Sequence, residues 1–109
     1  MTTKAFDAML GFCRAVGQMF EGVATGGSTT TIVDTNLITN KEGKTADKWN
    51  DGSAFIIKDA GGASAAPEKE AARITDYENT TGTITVISGD FTAAPASGDY
   101  YGLTRIRLS

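Results

Sequence analysis

The sequence predicts a mainly β domain, a small antiparallel β-barrel or sandwich with one N-terminal amphipathic helix. Three observations lead there. The stretch Arg73 to Val86, RITDYENTTGTITV, reads as two strands around a turn. Other short apolar or alternating runs are separated by Gly, Asn, Asp and Pro, the punctuation of sandwiches and small barrels. Helical spacing of apolar residues occurs only near the N-terminus.

Composition narrows the function. The 109 residues suit one compact domain, and a hydrophobic content of 40% supports a modest core. Oligomerisation is an expected source of further stability. The net charge of −3, with both signs spread along the chain, does not suit nucleic-acid phosphates or an anionic membrane. The lone cysteine, Cys13, excludes an internal disulfide framework and a cysteine-built zinc site. Histidine is absent, which removes the commonest acid–base residue and metal ligand. Residues 1–24 carry Asp7, Arg14 and Glu21 and do not read as a signal peptide. No stretch approaches the roughly 20 apolar residues of a membrane span. Synthesis in a cytoplasm is the default expectation.

In chain order, Thr2 or Thr3 caps a helix beginning near Lys4. Phe6, Met9, Leu10, Cys13, Val16, Met19 and Phe20 make one stripe on it. Gly11 and Gly17 each weaken it by about 1 kcal/mol relative to Ala. Burial of its large side chains, at roughly 1.5–3 kcal/mol apiece, exceeds that cost. The stripe packs either on its own domain or on other subunits. Residues 1–24 are expected as a helical arm, 25–28 as a Gly-rich hinge and 29–109 as the β-domain.

Within that domain Thr29 to Ile38 reads as the first strand, Asn40 to Lys48 as a polar loop, and Asn50-Asp51-Gly52 as a turn after Trp49. Ser53 to Lys58 is the second strand, with Phe55 and Ile57 on one face and Ala54 and Ile56 on the other. Both faces are apolar, so the strand is covered on both sides. Asp59 to Pro67 is a small-residue surface loop expected to be mobile. Lys69 to Tyr77 is the third strand. Glu78 to Gly82 turns, and the fourth strand, Gly82 to Ser88, buries Ile84 and Val86 on one face. Ala93 to Asp99 is a loop, and Tyr100 to Leu108 is the last strand.

Motifs with chemistry fall short. Gly43-Lys44-Thr45 ends like a phosphate-binding loop, but Ile38 stands where that loop needs its first glycine. Asp47 to Gly52 begins like a calcium loop, but Trp49 and Lys58 occupy ligand positions. Only an irregular cation site on Asp47 or Asp51 stays open. Asn79-Thr80-Thr81 is a glycosylation sequon that also serves the turn. Cys13 has no histidine to activate it. Glu68 and Glu70 read as solvated edges. Arg105 and Arg107, alternating with Leu103 and Tyr101, either guard an edge strand or form an interface strip. Asp34, Asp76 and Asp99 are candidate partners for them. No enzyme activity, cofactor or metal is expected.

Taken in order, several pieces resemble a small β module of tailed-bacteriophage virion proteins. They are Gly26 to Asp34, Trp49 to Gly52, Arg73 to Tyr77, Thr81 to Val86 and Ala94 to Asp99. The likeness covers residues 25–104 and implies a structural part of the head, neck, tail or fibre, with no catalytic residues. A capsid decoration (cement) protein is the expected role. Such a protein binds major capsid protein or other virion proteins, and a homotrimer is the expected assembly. Interface candidates are Phe6, Met9, Leu10 and Phe20 on the helix and Tyr101, Arg105 and Arg107 on the last strand. A neck, tail or fibre-attachment component is the alternative. A carbohydrate-binding module, using Trp49, Tyr77, Tyr100 or Tyr101, is the second.

Overall fold

The computed structural model describes residues 3–17, 19–62 and 65–106. It opens with helix α1 (Thr3–Ala15). Seven strands follow: β1 (Phe20–Val23), β2 (Gly26–Ser28), β3 (Thr31–Val33), β4 (Ser53–Lys58), β5 (Glu70–Glu78), β6 (Thr83–Val86) and β7 (Tyr100–Thr104). Short 3-10 turns, Thr35–Thr39 and Lys41–Gly43, lie between β3 and β4. The strands form one antiparallel sheet in the order β1-β7-β4-β5-β6-β3-β2.

The expected mainly β class is therefore observed, as an open folded sheet and not a closed barrel. Its long strand is the fold line. The first half of β5, through Arg73, pairs with β4, and the second half, from Ile74, pairs with β6 across a register shift. The two edge strands, β1 and β2, are joined by Ala24 and Thr25 alone. So short a link spans at most about 11 Å, which brings the far ends of the sheet together. The main core fills the fold, with Ile32, Ile56, Ile74, Ile84, Tyr101 and Leu103 all fully buried.

As its sequence predicts, β4 is covered on both sides. Ala54 and Ile56 join the main core, whereas Phe55 joins a second cluster with Phe6, Leu10 and Cys13 of α1. The Phe6 and Phe55 rings meet edge-on at 5.5 Å. Lys69 Nζ stands 2.7 Å from Asp7 Oδ1 and lies over the Phe6 ring, fastening the helix flank to the sheet.

Several elements differ from expectation. The helix does not continue to Phe20. Gly17 takes a φ of +72°, and the Gly17 N–H bonds to Arg14 O, closing the C-terminus. Met19 then packs beneath the helix and Phe20 starts a strand. Apolar spacing continues across this reversal, so periodicity could not reveal it. Residues 25–28, expected as a hinge, are tied down: Gly26–Ser28 pairs with Thr31–Val33, and Thr25 N donates to Val33 O. The first expected strand stops at Val33, where Asp34 caps a 3-10 turn by accepting from Asn36 N. The last strand stops at Thr104, short of the expected Leu108. Thr2, Arg107 and Leu108, with Ala63 and Ser64 of the expected mobile loop, lie outside the described residues. Elsewhere in that loop, Pro67 is buried and Asp59 N donates to Glu68 Oε1 at 2.7 Å.

At the β5–β6 turn Gly82 has a φ of +71°, and a Cβ there would stand 2.1 Å from Asp34 O. Gly82→Ala should lose more than about 1 kcal/mol in urea denaturation. Phe55→Ala should lose about 3–5 kcal/mol, because it empties the contact between helix and sheet.

Candidate binding surface

Phe20 is the residue around which the surface clefts are built. Its ring lies 6.3 Å from Trp49 and 6.2 Å from Tyr101. On one side opens a cleft of about 370 Å³ lined by Met19, Phe20, Glu42, Lys48, Trp49 and Arg105 among others. On the other a cleft of about 210 Å³ runs along β1, with Asp34, Asn36, Leu37 and Asn40 as its far wall.

The first cleft is polar at its rim. Lys48 Nζ pairs with Glu42 Oε2 at 2.8 Å and lies over the Trp49 ring. That bond holds the Glu42 carboxyl below the usual carboxylate range. Trp49 Nε1 donates to Glu42 O at 3.1 Å, which fixes the indole. Arg105 is exposed and has no ion-pair partner among the described residues.

Behind the second cleft lies a buried polar pair. The Tyr101 hydroxyl donates to Asp34 Oδ2 at 2.5 Å, and Asn36 N donates to Asp34 Oδ1 at 3.0 Å. Burial, then the bond to Asp34, pushes the Tyr101 phenol far above its ordinary range. At the cleft's outer side Arg14 makes two bonds to the Glu21 carboxylate, tying the end of α1 to β1. Those bonds hold the Glu21 carboxyl below its usual range.

The structure distributes the expected interface residues unevenly. Phe6 and Leu10 are buried against their own sheet, and Met9 is half-buried beside them. They face inward because β4 offers them an apolar surface. Tyr101 is wholly buried in the main core. Phe20 and Arg105 meet at the larger cleft, and Arg107 lies outside the described residues. Exposed apolar side chains are instead Phe12 (54%), Val16 (47%), Val23 and Ile87. Val16 thus leaves the predicted stripe. The signal for it was a second line at helical spacing, Ala5, Ala8, Phe12 and Val16.

Other candidates hold the fold together. Asp99 accepts from Ala60 N and Ala96 N, each at 2.9 Å, and does not pair with Arg105. Glu70 binds Thr92 through its amide and hydroxyl, so Glu68 and Glu70 are loop fasteners and not free edges. Asp51 pairs with Arg73 at 2.9 Å. Asp47 and Asp51 adopt positive φ in the turns around Trp49. Among the described residues no three His, Cys, Asp or Glu side chains converge for a metal ion. Cys13 is buried, and burial pushes its thiol up, away from the reactive thiolate. Of the aromatics considered for sugar binding, Trp49, Tyr77 and Tyr101 are buried and only Tyr100 is partly open. No described helix is long and apolar enough to cross a membrane.

Tyr101→Phe should cost about 1.5–3 kcal/mol, since it leaves a buried carboxylate short of a donor. The same residue sets an alkaline limit. An unfolded chain ionises its tyrosines as pH passes about 10, whereas folded Tyr101 keeps its proton. The native state then holds more protons, so stability falls with rising pH, by up to about 1.4 kcal/mol per unit from this group. Below that range both states are protonated and the group adds no pH dependence. Urea denaturation across the alkaline range should show a shallower fall for Tyr101→Phe than for the parent.

Compared with known proteins, the chain matches no protein-family model, no curated protein and no solved structure.

Proposed function

We propose that this chain is a structural component of a tailed-bacteriophage particle, a capsid decoration protein that binds between capsid subunits and acts as a homotrimer. The observation that carries the reading is the outward face of α1. Phe12 and Val16 stand exposed one turn apart. On the same helix Asp7 pairs with Lys69 and Arg14 with Glu21, and Lys4 is exposed. An apolar line on a rigidly docked helix is chemistry for contact with another protein surface.

The order of turn and strand pieces from residue 25 to 104 supports the same reading. So does the employment of Glu68 and Asp99, whose carboxylates hold backbone N–H groups in loops. The mechanism is burial of surface between subunits. Each apolar side chain contributes at most roughly 1.5–3 kcal/mol on full burial. A lattice of many copies makes such modest contacts sufficient. The protein is then made in the host cytoplasm and works in the virion.

Cosedimentation with undecorated capsids tests this. The parent should bind. The double variant Phe12→Ser, Val16→Ser should bind at least about tenfold more weakly, a change of about 1.4 kcal/mol, with its unfolding midpoint in urea little changed. A parent that stays in the supernatant at every concentration would sink the reading. Native mass across a dilution series should give the trimer, and a monomer throughout would remove the trimer from it.

A further inference from the structure

We propose that the free edge of β1 is a strand-addition site, which takes a short extended segment of a partner polypeptide and sets an acidic residue of that segment against Arg105. The inference does not depend on the virion reading. It begins with the backbone. β1 pairs with β7 only, in the register Phe20↔Leu103 to Val23↔Tyr100. Ala24 N donates to Asp99 O, continuing that register. In an antiparallel ladder bonded and non-bonded pairs alternate. Phe20, Gly22 and Ala24 therefore turn their backbone groups to β7, and Glu21 and Val23 turn theirs outward.

Two donors and two acceptors, spaced two residues apart, are the template on which another strand adds. Among the described residues no strand takes them up. The edge is not sealed by packing either. It opens into the cleft of about 210 Å³ whose opposite wall is Asp34 to Asn40. At the opposite sheet end a Cβ on Gly27 of β2 would lie 3.2 Å from Pro95, so a loop packs on a face of that strand.

The cleft also selects its occupant. A single extended segment needs only one strand's width, about 4.8 Å, beside β1. Its inward side chains would meet the half-buried Phe20, which favours apolar residues on that face of the segment. Past Phe20 the path enters the larger cleft, where Lys48 is paired with Glu42 and Arg105 is unpaired among the described residues. The unpaired cation there favours a carboxylate at that end of the segment.

The test uses the intact chain and synthetic hexapeptides in which Val alternates with Thr and one end, amino or carboxyl, carries Asp. Amide hydrogen exchange of the free protein should be fast at Glu21 and Val23 and slow at Gly22. Addition of peptide should slow Glu21 and Val23 by at least about tenfold. Val23→Pro removes an outward N–H that β7 does not use, and should weaken binding about tenfold or more. Peptides N-methylated on alternate amides should lose binding to the unaltered protein, a control that does not depend on how the variant folds. Arg105→Glu should transfer the preference from Asp-ended to Lys-ended peptides. The proposal is overturned if no peptide protects these amides at millimolar concentration, if protection appears elsewhere, or if N-methylation has no effect. Protection of Glu21 and Val23 that grows with protein concentration alone would also overturn it, in favour of a second copy.

Discussion

The buried hydrogen bond between Tyr101 and Asp34 holds together two parts of the sheet that no ladder joins. Tyr101 belongs to β7, beside one edge, and Asp34 follows β3, beside the other. A buried acceptor in an apolar interior is tolerated only where donors reach it. Here the Tyr101 hydroxyl and Asn36 N both do. The same carboxylate caps the 3-10 turn that becomes the wall of the smaller cleft. One buried group thus sets both the closure of the fold and the position of its open side.

Around that closure the chain packs two cores on opposite faces of β4. Main-core residues lie on one side, and Phe6, Leu10 and Cys13 lie on the other. The helix stripe with the strongest apolar signal is used internally, so any contact of the kind proposed would have to use what remains outside. That remainder is the line of Phe12 and Val16 on α1 and the open edge of β1. The first offers side-chain area, whereas the second offers backbone hydrogen bonds.

Local sequence determined a good part of the fold. The alternation at Thr83 to Val86 put Ile84 and Val86 inside, as observed. The double-faced pattern at Ser53 to Lys58 announced a covered strand, and β4 is covered by α1 on one side and the main core on the other. These features depend on side-chain period, which is written in neighbouring residues. Tertiary structure alone decided which apolar spacing ends a helix and which begins a strand. Val16, Met19 and Phe20 continue the helical interval, but Gly17 reverses the chain and β7 takes Phe20 into the sheet. It also decided the candidate site. Phe20, Arg105 and the wall at Asp34 to Asn40 are distant in sequence and meet only because the edges of the folded sheet converge. Periodicity reports which face of an element is apolar, but the partner that covers that face, and the edge that no partner covers, are fixed by pairings across the whole chain.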